Sequence, residues 1–331
     1  MCLIFTGEAE FYRYLRPKSV EFVKKEKLIG ALAISLAAAL WGVDGVTLTP
    51  YLYGLNSVAF VVLVLHLLAF LVMNTFLFRE YRHLKRFSLS DYSVFIMIAI
   101  FGGAIGTMSM VHALFLVNFE KLSIVILLQK LQPIFAIALA VIFLGERMKQ
   151  YYYLWAGLAI IAGYFLTFGF HLPVLDTGDN TLQAALFSVL AAFSFGSSTV
   201  LSKKILDRYS FYTATFYRYG FTSLIMLVFV LASGLQYKFN EVTELQWYIF
   251  GIIAITTGSG AIFLYYYGLR KVRAAIAAIC ELFFPVTAII LDYLLHGQRL
   301  SWVQWLSAFI MLFAIINLNL RNSLQRKTQE Q

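Results

Sequence analysis

The chain has 331 residues, of which 61% are hydrophobic and only 13% charged, with a net charge of +9. That balance excludes a disordered chain, which needs low hydrophobicity and high charge, and an ordinary soluble enzyme, which carries about 25% charged residues. Five Pro, 21 Gly and two Cys exclude collagen and a disulfide scaffold, and basic residues lying between apolar runs suit anionic lipid headgroups, not nucleic acid.

Residues 1–27 mix Arg, Lys, Glu and aromatics with no small-residue cleavage site after them, and read as a cytoplasmic amphipathic arm. Ten apolar runs follow, at 28–49, 57–78, 92–117, 122–144, 152–170, 182–202, 212–234, 246–269, 274–295 and 302–320. Roughly 20 apolar residues cross a bilayer as a helix. Barrel strands would instead alternate over about 10 residues. The expected fold is therefore an all-α polytopic membrane protein of ten transmembrane helices, with residues 321–331 as a cytoplasmic tail.

The charges set the orientation. With a cytoplasmic N-terminus, 21 of the 26 Lys and Arg fall in inside segments and three, Lys121, Lys238 and Arg299, fall outside. This positive-inside bias predicts both termini in the cytoplasm of a cell whose inner membrane the chain spans many times. Cys2 in the arm and Cys280 inside a span cannot pair.

The chain repeats itself. A shift of 152 takes Pro133 to Pro285, Gly145 to Gly297, Arg147 to Arg299 and Gly106 to Gly258, and Trp41-Gly42 falls opposite Phe195-Gly196 at 154. The repeats are residues 28–170 and 182–320. Five helices per copy is odd, so the second copy enters the membrane from the other side. Inverted repeats are the architecture of many secondary transporters, with the substrate site near the midplane between halves.

Leu40-Trp41-Gly42, the stretch from Pro133 to Leu144-Gly145-Glu146-Arg147, and Tyr266-Tyr267-Gly268-Leu269-Arg270-Lys271-Val272 leading to Glu281 and Pro285 carry a resemblance. Together with the duplication over residues 28–320, they resemble the EamA-type members of the drug/metabolite transporter superfamily. The resemblance implies five plus five helices around a central cavity and export of amino acids or other small metabolites. Two positions depart from that pattern: Gln298 stands where an acidic residue follows the glycine, and the acidic residue before the helix 9 proline is four residues earlier, at Glu281.

Ionisable residues inside spans are functional candidates. At 1.5 Å per residue, Glu281 lies about 11 Å from the cytoplasmic side, one turn before Pro285, and Lys130 about 12 Å from the opposite face. Glu281 reads as a proton- or amine-binding carboxylate or as the partner of Lys130 in a structural ion pair; Lys130 could also hold a substrate carboxylate. Pro133 and Pro285 are expected to mark paired helix breaks, since proline removes a donor and disturbs the residue four before it. His66 lies near the midplane and corresponds to Arg218 at the 152 shift; His66 reads as a titrating or a packing residue, and Arg218 as a brace or a headgroup contact. Asp292, three turns after Glu281, shares its helix face. Asp44 shares a face with Trp41 near the outer mouth, and Tyr265 belongs to a Tyr265-Tyr266-Tyr267 run that could partly face the cavity. The glycines Gly102, Gly106, Gly258 and Gly260 permit close helix approach.

No G-x-x-x-x-G-K-[ST], H-E-x-x-H or G-x-S-x-G pattern occurs, so no ATP drive, metalloprotease or hydrolase chemistry is expected, nor any metal or cofactor. The expected function is a secondary transporter, an exporter of small metabolites such as amino acids or related amines working by alternating access. The alternative is an uptake carrier for an organic cation or a nucleoside-type nutrient. A multipass enzyme acting on lipids is a remoter reading. The expected partners are a small-molecule substrate and membrane lipids, with monomer and homodimer both open.

Overall fold

The computed structural model describes residues 5–117, 125, 128, 129, 131–172, 180–296 and 301–324; for residues 5–24, 167, 181, 289, 292, 296 and 318–324 it describes the backbone alone. Among these the structure is helical, with no strand. The first half holds α1 (Phe5–Thr47), α2 (Val58–Leu77), α3 (Leu89–Ile98), α4 (Gly106–Leu116), α5 (Gln132–Leu144) and α6 (Gln150–Phe168). The second holds α7 (Thr181–Leu206), α8 (Phe211–Ala232), α9 (Glu244–Ile253), α10 (Ala261–Lys271), α11 (Ala274–Cys280), α12 (Phe283–His296) and α13 (Trp302–Leu324).

Among the described residues, seven helical stretches are long and apolar enough to cross a membrane: Lys25–Thr47, Val58–Arg86, Leu89–Leu116, Leu182–Leu206, Phe211–Ala232, Glu244–Lys271 and Ala274–Leu295. This is fewer than the ten apolar runs of the sequence. The fourth run is described as an unbroken helix from Gln132 to Leu144, too short to span on its own, and part of the run lies outside the described residues. The fifth is the α6 helix, Gln150–Phe168, which is not among the seven. In the tenth, the apolar stretch counted is Trp302–Asn317. The arm and the first span are one element, since α1 runs unbroken from Phe5 to Thr47. The basic stretch 79–86, expected as a break, is a 3-10 turn, Phe78–Arg86, continuing α2.

Local chemistry sets the ends. Ser88 and Asp91 form a reciprocal cap at the start of α3, and Thr243 and Gln246 repeat it at the start of α9. Such caps satisfy backbone N–H groups that a helix start leaves free. Gly145 closes α5 at φ 62°, where a side chain would be strained. Glu146, just beyond, reaches across to the other half: Ala274 N and Ala275 N at the start of α11 donate to its carboxylate at 2.9 and 3.2 Å.

Two interruptions recur at matching places. A π turn, Ala99–Ile105, joins α3 to α4, and another, Ala254–Gly260, joins α9 to α10. The α11–α12 segment is broken at Glu281-Leu282, with Pro285 in the first turn of α12. Pro133 likewise lies in the first turn of α5, after a turn at Leu131.

Packing exchanges the halves. The α1 helix lies against α10 and α12, and its counterpart α7 lies against α4 and α5. The α2 helix pairs with α8, and α6 with α13. The π turn of the first half meets α7 and α8, and that of the second meets α2. The centre is dense and fine-grained, with every residue of α11 buried. Large apolar side chains such as Phe143, Leu154, Leu182 and Phe309 are exposed instead. That inversion suits a hydrocarbon surround, in which apolar surface carries no penalty.

Candidate functional site

The break at Glu281 places a carboxylate where helix α11 stops. Its Oε1 accepts from the Tyr265 hydroxyl at 2.7 Å and from Thr199 Oγ1 at 3.4 Å, and its Oε2 accepts from Gln132 Nε2 at 2.5 Å. The Tyr265 hydroxyl also meets Thr199 Oγ1 at 2.7 Å. The donors come from α5, α7 and α10, so one carboxylate ties four segments of both halves together. Two full donors, Tyr265 and Gln132, with the single Thr199 hydrogen shared between the carboxylate and the Tyr265 oxygen, are what make such a group tolerable inside a bundle. Glu281 and Gln132 are nevertheless only half-buried.

The Tyr265 ring lies 5.5 Å from Trp41, tilted by 51°. The indole of Trp41 donates to Thr257 O at 3.0 Å, and Thr257 Oγ1 donates to Asp44 Oδ2 at 3.0 Å. The other oxygen of Asp44 accepts from Thr49 at 2.9 Å. Asp44 and Trp41, one turn apart on α1, therefore share one partner in the second π turn. Trp41 and Asp44 are half-buried as well.

Next to this cluster sits Arg218 of α8. Its Nη1 donates to Ser198 Oγ at 3.3 Å and to the Tyr266 hydroxyl at 3.1 Å, and its Nη2 to Gly102 O at 3.1 Å. Its charge lies 5.7 Å from the Tyr266 ring centre, while Nε is buried without a hydrogen-bond partner among the described residues. Adjacent residues thus serve opposite charges: Thr199 and Tyr265 face Glu281, and Ser198 and Tyr266 face Arg218. Arg218 braces α8 against α7, α10 and the first π turn instead of reaching toward headgroups.

Of the residues singled out from sequence, Glu281, Tyr265, Trp41 and Asp44 come together. His66 stands apart, buried on α2, with Nδ1 2.9 Å from Val62 O and its ring beside Tyr219. Lys130 lies outside the described residues, and of Asp292 only the backbone, within α12, is described. Gln132, Thr199 and Thr257 were not anticipated. Gln132 had a signal, as the polar neighbour of Pro133; the two threonines had none, since a hydroxyl inside an apolar run looks like packing. Among the described residues no three His, Cys, Asp or Glu side chains are grouped to hold a metal. An open apolar groove of about 550 Å³ between α5 and α7, lined by residues such as Phe135, Leu186, Val189 and Phe193, includes none of these polar groups.

The chain is similar to known proteins throughout. The model of the EamA-like transporter family matches residues 28–168 and again 182–320. A protein named riboflavin transporter ImpX, from Fusobacterium nucleatum subsp. nucleatum, is 50% identical over 294 residues, which is 88% of this chain and 98% of that protein. An uncharacterized transporter of Archaeoglobus fulgidus is 26% identical over 190 residues, 57% of this chain and 64% of its own. One solved protein structure superimposes on 88% of this chain and 96% of its own at a TM-score of 0.65; at 14% identity this concerns the fold alone. Two family matches in tandem and a relative matched over nearly its whole length make this a multi-pass membrane protein of two-repeat architecture, a transporter, and a member of the EamA-like transporter family.

Proposed function

We propose that the protein is a secondary carrier for riboflavin, taken up as a nutrient by alternating access around the Trp41–Tyr265–Glu281 cluster. The observation that carries this reading is the 50% identity to a riboflavin transporter over 98% of that relative. The chemistry of the site agrees with it. Riboflavin is a planar, uncharged ring system bearing a chain of hydroxyls. Aromatic rings such as Trp41 and Tyr265 suit the ring plane, and carboxylates and threonines such as Asp44, Thr257 and Glu281 suit hydroxyl groups.

In this reading ten spans form two inverted repeats, residues 28–170 and 182–320, in the inner membrane with both termini cytoplasmic. The exchanged packing of α1 and α7 supports the inversion. Glu281 and its breaks near Pro285 and Pro133 lie where the halves must separate, and broken backbone is tolerated in a membrane where it lines protein or water. Lys130 and Asp292 remain candidates for lining the same path.

A second reading is export of amino acids or related amines; the carboxylates of Asp44 and Glu281 would suit an ammonium group. Growth separates the two. Expressed in a riboflavin-auxotrophic bacterium without its own importer, the protein is expected to restore growth at low external riboflavin. No growth and no intracellular flavin, with the protein present in the membrane, would overturn the riboflavin reading.

A further inference from the structure

We infer that Glu281 and Gln132 together read the imide edge of the isoalloxazine ring and so determine which flavins the carrier accepts. This rests on the riboflavin reading above. The two residues come from opposite halves and stand at the two helix breaks, Glu281 where α11 ends and Gln132 where α5 begins. Their contact puts an acceptor, Oε2, 2.5 Å from a donor nitrogen, Nε2.

That pair is not saturated. A carboxylate offers about four lone-pair positions and an amide nitrogen two hydrogens. Oε1 of Glu281 is occupied by Tyr265 and Thr199, whereas among the described residues Oε2 takes Gln132 alone. Among the described residues, one acceptor position on Oε2 and one hydrogen on Gln132 Nε2 are therefore left, side by side. The imide edge of a flavin carries the complement: the N3–H donor next to a carbonyl oxygen. N3–H would bond the carboxylate, a charge-assisted hydrogen bond of the stronger kind, and the carbonyl would take the Gln132 hydrogen. The ring plane then falls beside Tyr265, whose hydroxyl holds Glu281 and whose ring faces Trp41 at 5.5 Å. The ribityl chain is left for Asp44, one helical turn along α1 from Trp41, and for its partner Thr257 in the second π turn.

The inference makes N3–H a requirement. A methyl group on N3 removes the donor and sets carbon against a carboxylate that then loses its partner. A site built around a hydrogen bond discriminates strongly against the analogue that lacks it.

The test is flavin binding by the purified full chain in detergent, followed by quenching of flavin fluorescence. The probes are riboflavin, 3-methylriboflavin and a riboflavin altered only at its dimethylbenzene end. The wild-type protein is expected to bind 3-methylriboflavin about 10–100-fold more weakly than riboflavin, and the dimethylbenzene variant about as well as riboflavin. Glu281→Ala should bind riboflavin more weakly and bring the two affinities together. Glu281→Gln, which keeps an acceptor oxygen, should retain part of the discrimination. Riboflavin and 3-methylriboflavin bound equally by the wild type would overturn the inference while leaving the carrier a flavin carrier. Full discrimination surviving in Glu281→Ala would overturn it too. No binding or transport of any flavin by the wild type would overturn the riboflavin reading itself, and this assignment with it.

Discussion

Gly102 and Thr257 hold corresponding places in the two π turns, and each gives its carbonyl to a side chain of the opposite half. Arg218 Nη2 donates to Gly102 O at 3.1 Å, and Trp41 Nε1 donates to Thr257 O at 3.0 Å. The π turns interrupt spans that would otherwise be regular, and π turns recur at functional positions. Here they are cross-braced between halves. Trp41→Phe keeps a ring against Tyr265 but removes the donor, and is expected to lower stability by about 1 kcal/mol. Arg218→Lys keeps the charge but loses the fork that serves three acceptors, and is expected to cost about 1–3 kcal/mol. Thermal unfolding of the purified proteins measures both. An Arg218→Lys protein as stable as the wild type would show that the brace is not made.

Gly42 and Gly196 seat the two broken segments. A Cβ at Gly42 would come within 2.8 Å of Phe284 O and 2.9 Å of Thr287 Cβ, whereas one at Gly196 would lie 3.0 Å from Ala136 N and 3.2 Å from Gln132 O. Phe284 and Thr287 correspond to Gln132 and Phe135 at the repeat shift. Gly42→Ala should therefore destabilise by about 1–3 kcal/mol through overpacking, and Gly196→Ala by less. Gly157→Ala, inside α6 with nothing within 4 Å, should instead gain about 0.5–1 kcal/mol. The ranking of three melting temperatures decides it, and Gly42→Ala at or above Gly157→Ala would refute the packing.

Asp91 does more than its ion pair. It caps α3 and accepts from Tyr209 at 2.8 Å and from Arg208 at 3.2 Å. The Asp91 side chain is 8% exposed and that of Arg208 is 58% exposed. Asp91→Ala loses the cap and strands the Tyr209 hydroxyl, so about 2 kcal/mol is expected. Arg208→Ala should cost less, about 0.5–1 kcal/mol, because the guanidinium is exposed and Asp91 keeps its hydrogen bonds to Ser88 and Tyr209. Equal losses in denaturation of the two variants would mean the ion pair, not the cap, dominates.

Orientation is open to direct labelling. In a protein with Cys2 and Cys280 replaced, a cysteine at Asn180 should react with a membrane-impermeant maleimide added to intact cells. One at Arg208 should react only after permeabilisation. The reverse pattern would invert the topology.

Much of this was legible in the sequence for a physical reason. Apolar runs and their flanking charges are selected by the bilayer, and a duplicated chain repeats its proline and glycine spacing. Asp44 and Glu281 stood out because charge at depth is rare, Trp41 as a motif residue on the face of Asp44 and Tyr265 as part of a tyrosine run, and the structure brings the four together. The π turns were not legible, because glycines such as Gly102 and Gly258 look the same in a tightly packed regular helix. Gln132 was missed for a related reason. The repeat shift pairs Glu281 with Gln129, but Gln129 Nε2 reaches Ser188 O at 3.4 Å, and the turn at Leu131 brings Gln132 to the carboxylate instead. A break changes which residues share a face, and spacing alone does not record where the break falls.

Counterflow into proteoliposomes tests the central claim most directly. Vesicles holding the purified protein are preloaded with unlabelled riboflavin and diluted into labelled riboflavin. The account predicts a transient accumulation of label above its equilibrium level, abolished by excess external riboflavin and unaffected by amino acids. Absence of riboflavin counterflow, with robust counterflow of an amino acid in the same vesicles, would contradict it.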